Sequence, residues 1–256
     1  MAVNRVFVVG HRGMLGTDVA RWFAEQGYEV VTSAARFGGL DDDPLIADVA
    51  AASCSVIVNC AAALPSRTSS QWLANALLPI RLASVISGEQ ILIHASSDGV
   101  FTGRDGPYHV DDVPDARDTY GLSKRAGEWA VRASGVVVIR TSILGESGGL
   151  LGWLIQQTDQ VDGYVDHLWS GVTTLEWARR CSDLVAARDR RSRIEHLASR
   201  AMSKFELLAT AAGVFDLPVR IREARGPEAI DRTLIPTIAT GSISTQLADL
   251  RRWRSA

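Results

Sequence analysis

The chain is poor in cysteine, in net charge and in long apolar runs, and each shortage argues against a class of protein. Its 256 residues include only three cysteines, an odd number without zinc-binding spacing. The formal net charge is −2, so the composition does not indicate a nucleic-acid partner. No apolar run reaches membrane-spanning length, and no basic region or cleavage signal precedes the first predicted strand. We therefore expect a cytoplasmic protein with reduced thiols, no metal site, and neither a membrane nor a nucleic acid as partner.

Lysine is scarce as well, because Lys124 and Lys204 are the only two in the sequence. Lys124 follows Tyr120 by four residues, a step that puts both side chains on one face of a helix. An ammonium beside a phenol stabilises the ionised phenol, so the spacing predicts a Tyr120 that gives up its proton near neutral pH. The alternative is a surface Tyr and Lys on an ordinary helix.

Three glycines spaced three apart, Gly10, Gly13 and Gly16, directly follow an apolar β-branched run. The pattern predicts a strand, a tight turn and the start of a helix, which is the context of a dinucleotide-binding loop. The glycines let the backbone approach a pyrophosphate, and the helix N-terminus offers free N–H donors. The alternative is that they serve only as turn residues. The residues predicted to bind a cofactor here are Gly10, Arg12, Gly13, Met14, Leu15 and Gly16.

The end of the second predicted strand favours NADP(H) over NAD(H), although NAD(H) stays possible. About twenty residues beyond the glycines there is no carboxylate to bind a ribose 2′-hydroxyl. Hydroxyls and an arginine stand there instead, and Thr32, Ser33 and Arg36 could bind a 2′-phosphate. The alternative for Arg36 is a solvated loop residue.

Short apolar runs alternate with amphipathic stretches along the chain. Residues 55–59, 90–94 and 135–140 have the composition of buried parallel strands. The predicted fold is α/β, a Rossmann-type doubly wound parallel sheet with a smaller C-terminal substrate lobe. We expect 1–144 to form the dinucleotide-binding core with 171–199 returning to it, and 145–170 with 200–256 to form the lobe. Capping boxes predict helix starts at Thr173 with Glu176 and at Ser203 with Glu206.

Together these motifs resemble the extended short-chain dehydrogenase/reductases, and within them the dTDP-4-dehydrorhamnose reductase group of nucleotide-sugar enzymes. The glycine triplet is similar to the cofactor loop of that group, and 58–63 is similar to its segment beside the nicotinamide ribose. Residues 96–101 resemble its Ser-Thr-Asp-Tyr-Val-Phe motif, which leads to the Tyr and Lys pair. Residues 230–234 resemble its Arg-Ser-Leu segment. The match spans most of the chain.

The resemblance implies an NAD(P)-dependent oxidoreductase of carbohydrate biosynthesis, which uses NADPH to reduce a keto group on a nucleotide-activated deoxysugar. It implies that Ser97 binds the substrate carbonyl, that Tyr120 donates the proton, and that Lys124 holds the cofactor ribose and lowers the pKa of Tyr120. By the same resemblance, Asn59, Ala61 and Ala62 contact the cofactor. A homodimer is possible at the level of the family.

Two positions depart from the pattern of the group. Gly99 stands where the group usually has Tyr, and Ile143 stands where it usually has Trp, so we expect a substrate other than, or broader than, dTDP-4-dehydrorhamnose. Two alternative functions stay open: an epimerase or dehydratase of the same superfamily, and a non-catalytic NADP-binding regulatory subunit. Ser97 is followed by Asp98 and Gly99 rather than by the Asp-Glu pair of related dehydratases, which argues against elimination.

Overall fold

The computed structural model describes residues 4–64 and 70–256. Its main sheet has seven parallel strands in the order β14-β10-β5-β4-β3-β1-β2. The strands of the described chain are β1 (Arg5–Val9), β2 (Glu29–Val31), β3 (Val56–Asn59), β4 (Ile91–Ala95), β5 (Val136–Arg140), β6 (Ile143–Leu144), β7 (Gln160–Tyr164), β8 (His167–Trp169), β9 (Val172–Thr173), β10 (Arg193–Ala198), β11 (Met202–Ser203), β12 (Arg220–Ala224), β13 (Ile230–Asp231) and β14 (Ile238–Ala239).

Helices cover both faces of this sheet. The α-helices are α1 (Met14–Glu25), α2 (Pro44–Ala51), α3 (Leu78–Val85), α4 (Thr119–Gly127), α5 (Gly149–Ile155), α6 (Thr174–Ala186), α7 (Lys204–Val214) and α8 (Ile243–Ser255). A π-helical turn (Trp72–Leu77) leads into α3, and 3₁₀ turns lie at Asp98–Val100 and Glu128–Arg132. No helix of the described ranges is long and apolar enough to cross a membrane.

The side chains of the central strands alternate between the two faces of the sheet, and this explains why helices cover both faces. In β1, Val6 and Val8 pack with α1 and α6, whereas Phe7 and Val9 pack with α2 and α3. Successive side chains of a strand point to opposite faces, so a strand that is apolar at every position needs two helical layers. The predicted α/β class and doubly wound parallel sheet are therefore confirmed.

The predicted helix starts are confirmed, one of them with a partial cap. Ser203 and Glu206 form a complete capping box at the start of α7. Thr173 accepts a hydrogen bond from the backbone N–H of Glu176 at 3.3 Å, without the reciprocal bond of a full box. Both hydroxyls satisfy first-turn donors that would otherwise have no partner.

A third apolar cluster, beside the two that cover the faces of the sheet, joins α5, α7 and α8. Short strand pairs surround it: β7 with β12, and β8 with β11 and β13. The C-terminal segment does not lie wholly in this region, because β14 pairs with β10 at the edge of the main sheet. The division of the chain into core and lobe stays a prediction.

Candidate active site

The candidate site lies at the carboxyl edge of the parallel sheet, where ligands bind in open α/β folds. Gly10 directly follows β1, Asn59 ends β3, and Ser97 comes two residues after β4. Because β1, β3 and β4 are neighbours in the sheet, these three residues stand side by side.

The glycine loop between β1 and α1 is closely packed. Gly10 has φ of +79°, and a Cβ there would lie 2.7 Å from the backbone N of Ala61. A Cβ on Gly16 would lie 2.1 Å from the Gly10 carbonyl oxygen, so only glycine allows α1 to approach β1 this closely. Gly13 precedes α1 and supplies no side-chain cap to its first-turn N–H groups. These donors are available to a bound anion.

The other predicted loop residues occupy different environments. Arg12 is exposed, Met14 is half-buried, and Leu15 is buried against the sheet. Met14 also contacts the segment after β6, since a Cβ on Gly145 would lie 2.6 Å from its Cγ. Leu15 therefore has a packing role, which is enough to account for its apolar side chain.

Asn59 organises the turn after β3. Its Oδ1 accepts the backbone N–H of Ala61 at 3.1 Å, which leaves Nδ2 to donate to Nδ1 of His94 at 3.1 Å. His94 is fully buried, and burial followed by the charge of Lys124 holds its pKa well below the usual range. His94 is thus a neutral imidazole with its proton on Nε2. Ala62 is exposed beside this turn.

Ser97 and Tyr120 are brought together at the turn after β4. The Ser97 hydroxyl donates to Oδ1 of Asp98 at 3.1 Å and accepts the backbone N–H of Gly99 at 3.0 Å. A Cβ on Gly99 would lie 3.0 Å from Cε1 of Tyr120 and 3.2 Å from Oγ of Ser97. The Tyr120 ring therefore packs over Gly99, next to the serine hydroxyl.

Lys124 is almost completely buried, at 2% exposure, behind Tyr120 on α4. Its Nζ donates to the backbone carbonyl of Ala95 at 2.6 Å, at the end of β4. Burial lowers the pKa of Lys124 to about 8, and the Glu128 carboxylate opposes that change. A buried ammonium beside a strand end can hold ligand hydroxyl groups at the sheet edge.

The expected effect of Lys124 on Tyr120 is wrong. Burial raises the pKa of the Tyr120 phenol, and the neighbouring Ser97 hydroxyl lowers it in part. The Asp98 and Asp118 carboxylates raise this pKa further, and the Arg232 guanidinium lowers it. Burial lowers the pKa of Lys124 to about 8, so its side chain is already neutral at the pH where the phenol ionises, and its Nζ is bonded to the Ala95 carbonyl. A high pKa keeps the phenol protonated, as a proton donor requires.

Two sets of supporting residues were not assigned from the sequence. The Asn75 side chain bonds both the N–H and the carbonyl of Ala63 at 2.9 Å and also reaches Ser123 at 3.1 Å. A buried bidentate pair joins Arg140 to Glu128 at 2.8 Å, and Glu128 also accepts the Ser96 hydroxyl. Both sets fix α4 against the strand ends.

The region after β2 differs from the expectation that no carboxylate is available there. The Ser33 hydroxyl donates to Oδ2 of Asp48, which comes from α2. Arg36 is exposed and makes no hydrogen bond or ion pair with the residues that the structure describes. A carboxylate therefore lies beside the position predicted to bind a 2′-phosphate.

A cleft of about 410 Å³ opens above the two hydroxyls. Its lining residues are Gln71, Ser97, Asp98, Gly99, Asp118, Thr119, Tyr120 and Arg232. Ile143, the other departure from the group, is half-buried in β6 and packs against the main core. In 4–64 and 70–256, no three His, Cys, Asp or Glu side chains group to hold a metal ion.

Sequence comparisons find two kinds of relatives. Methionine adenosyltransferase 2 subunit beta of Danio rerio is 27% identical over 243 residues, covering 84% of this chain and 75% of that protein. The dTDP-4-dehydrorhamnose reductase of Mycolicibacterium smegmatis is 32% identical over 152 residues, covering 54% of this chain and 45% of that enzyme.

Fold similarity extends over nearly the whole chain. The structure of dTDP-4-dehydrorhamnose reductase from Bacillus anthracis in complex with NADP superposes with a TM-score of 0.83. The two chains are 18% identical, and the superposition covers 98% of this chain and 99% of the other. The family model described as the RmlD substrate binding domain matches residues 4–255. The resemblance to the dTDP-4-dehydrorhamnose reductase group is thereby confirmed, and the chain belongs to the RmlD substrate binding domain family.

Proposed function

We propose that the protein is an NADPH-dependent reductase of a keto group on a nucleotide-activated deoxysugar. One observation carries the proposal: the Ser97 and Tyr120 hydroxyls line one open cleft, at the sheet edge that also carries the glycine loop, and Lys124 follows Tyr120 by one turn of α4. A binding protein needs the loop but has no need of two hydroxyls facing the same cleft. The family membership and the similarity to dTDP-4-dehydrorhamnose reductases support the same class of reaction.

The glycine loop fits a dinucleotide. Added Cβ atoms would fill the space at Gly10 and Gly16, and the uncapped start of α1 offers N–H donors to a pyrophosphate. Asn59 and Ala61 would border the nicotinamide ribose, and Lys124 would bind its hydroxyl groups. When bound, the cofactor supplies the hydride.

In this proposal Tyr120 is the general acid of the chain. Its high pKa keeps the proton on the phenol until negative charge develops on a carbonyl oxygen in the cleft. Ser97 orients that oxygen by a hydrogen bond, for which its proton must turn away from Asp98. Asn75 and Glu128 hold α4, and with it Tyr120, at the sheet edge.

Cofactor choice rests on Ser33, Arg36 and Asp48. Arg36 has no described partner, so its guanidinium is available to a 2′-phosphate. The Asp48 carboxylate opposes that phosphate and suits a free 2′-hydroxyl. We infer that NADPH is preferred and that NADH is also accepted.

We propose that the range of sugar substrates is broader than dTDP-4-dehydrorhamnose. Gly99 leaves the cleft without the aromatic side chain usual at that position, and a lost aromatic contact can reshape selectivity by roughly an order of magnitude. NADPH consumption, followed by absorbance with dTDP-, UDP-, GDP- and CDP-keto-sugars, tests this. Exclusive use of dTDP-4-dehydrorhamnose would contradict the broader range.

A second candidate is a non-catalytic NADP-binding regulatory subunit. It is favoured by the similarity to methionine adenosyltransferase 2 subunit beta, which extends over 84% of this chain. The same panel separates the two functions. A regulator binds NADPH without consuming it, whereas a reductase oxidises it with at least one keto-sugar nucleotide.

A further inference from the structure

Two half-buried cations near Asp98 have no ion-pair partner in the described part of the chain. Lys204 lines a cavity of about 570 Å³ in the C-terminal region, and its ammonium lies 5.6 Å from the centre of the Trp169 ring. Arg232 lines the catalytic cleft, and its Nε donates to the Thr102 carbonyl at 3.3 Å. Neither cation has a carboxylate within ion-pair distance among residues 4–64 and 70–256.

Two arginines of low exposure in the described chain are paired with carboxylates, and the buried Lys124 ammonium is bonded to a backbone carbonyl. Arg140 binds Glu128 at 2.8 Å, and Arg180 binds Glu195 at 2.7 Å. Pairing is the usual way to offset the loss of hydration when a charge is buried. Lys204 and Arg232 lack this compensation in the protein alone.

The position of Lys204 adds a further cost. It is the first residue of α7, where the helix dipole disfavours a positive charge. The nearby Glu206 carboxylate is already bonded to the N–H and hydroxyl of Ser203, at 2.7 and 3.0 Å. Burial lowers the pKa of Lys204, and Asp98 opposes that change.

Asp98 connects the two cations electrostatically. The short sheet β11-β8-β13 puts Ser203, which precedes Lys204, and Asp231, which precedes Arg232, both opposite Leu168. Burial raises the pKa of Asp98, and the charges of Lys204 and then Arg232 lower it. Asp118 also lines the cleft, where its carboxylate accepts the backbone N–H of Gly121 at 2.9 Å, so the formal charges of the four groups balance. Lys204 and Arg232 nevertheless have no carboxylate within ion-pair distance among the described residues, and an anionic group of a ligand can supply one between them.

We propose that Lys204 and Arg232 together bind an oxyanion of the substrate, between the C-terminal cavity and the catalytic cleft. The inference rests on the proposed function, because it assumes that the anion arrives as part of a nucleotide sugar. Two sources share this chemistry: the diphosphate bridge, and a carboxylate carried by the sugar. Binding there would orient the sugar toward Tyr120.

Calorimetric binding to the full chain tests the site, with UDP-glucose, UDP-glucuronic acid and inorganic pyrophosphate as probes. The test variants are Lys204→Met and Arg232→Gln, with Lys204→Arg as the conservative rescue. Arg222→Gln is the matched control, because Arg222 lines the same cavity as Lys204 but is paired with Asp162 at 2.8 and 2.9 Å. Circular dichroism checks that each variant is folded.

We expect each test variant to weaken binding about 10- to 100-fold, the usual effect of losing a charge-assisted contact. Lys204→Arg should retain most of the affinity, and Arg222→Gln should change it less than about twofold. Equal losses for both UDP-sugars identify the diphosphate as the anion. A loss confined to UDP-glucuronic acid identifies the sugar carboxylate.

Unchanged affinity in folded Lys204→Met and Arg232→Gln would overturn the site, as would an equal loss in Arg222→Gln. A parent protein that binds none of the three probes would also overturn it. Binding that depends on Lys204, together with no NADPH oxidation by any keto-sugar nucleotide, would leave the anion site standing and reject the reductase. The two proposals can therefore fail separately.

Discussion

Replacing Lys124 by methionine should abolish turnover and make the protein more stable near neutral pH. The ammonium is 2% exposed, and burial lowers its pKa from 10.5 to about 8. Below pH 8 the lysine is charged in both the folded and the unfolded protein, so folding includes the full free-energy cost of burying the charge. Methionine has similar length and no charge, and it removes this cost.

The size of the effect follows from the pKa and from one hydrogen bond. The lowered pKa corresponds to about 3 kcal/mol of destabilisation below pH 8. Methionine also removes the donor to the Ala95 carbonyl, which costs about 1 to 3 kcal/mol. We therefore expect Lys124→Met to be more stable than the parent by about 1 kcal/mol near pH 7.

The pH dependence of the stability difference tests the explanation more sharply than its size at pH 7. Between about pH 8 and 10.5 the unfolded parent binds more protons than the folded parent, so its stability rises with pH. The advantage of the variant should shrink over this window and reverse near pH 10.5, because the neutral amine keeps its bond to Ala95. Urea unfolding of parent and variant at several pH values measures the difference.

Arg125→Met is the matched control, since Arg125 is the exposed neighbour of Lys124 on α4. Its effect on the free energy of unfolding should be small and constant with pH. A difference between parent and Lys124→Met that stays constant from pH 7 to 10.5 would refute the reasoning about the buried ammonium.

Two pairs of variants test the cofactor site. Asp48→Asn should increase the preference for NADPH over NADH by roughly tenfold, because a carboxylate no longer opposes the 2′-phosphate, while Arg36→Ala should decrease that preference. Titrations with both cofactors measure the ratio of the two affinities. Equal ratios in the parent and the variants would remove both residues from the assignment. Gly10→Ala should lose most NADPH affinity, because its Cβ would lie 2.7 Å from the Ala61 backbone and its φ is +79°. Gly13 has a φ of −84°, and a Cβ there would lie 3.3 Å from the Gly10 carbonyl oxygen. Gly13→Ala should therefore bind NADPH more tightly than Gly10→Ala does. Similar affinities in the two glycine variants would contradict this account of the loop.

The sequence predicted those parts of the structure that depend on local pattern. Apolar β-branched runs at 56–59 and 136–140 read as buried strands because a strand between two helical layers is apolar on both faces. Gly10 was recognisable because the strand, turn and helix around it are contiguous. The Ser203 capping box was recognisable for the same reason, since its two partners are three residues apart.

Features that depend on distant contacts were not predicted. Asp48 reaches Ser33 from another helix, and no spacing rule connects the two positions. Helical spacing put Lys124 on the same face as Tyr120. It could not show that the Ala95 carbonyl accepts a hydrogen bond from the Lys124 ammonium. The joining of β14 to the sheet likewise rests on pairing with β10, about forty residues earlier.

The most direct test of the central claim is the turnover of Tyr120→Phe with a keto-sugar nucleotide that the parent reduces. Phenylalanine keeps the ring that packs over Gly99 but has no proton to donate. We predict a fall in turnover of about 10²- to 10⁴-fold with NADPH affinity nearly unchanged. Nearly full turnover in Tyr120→Phe would show that the proton comes from another group and would contradict the account.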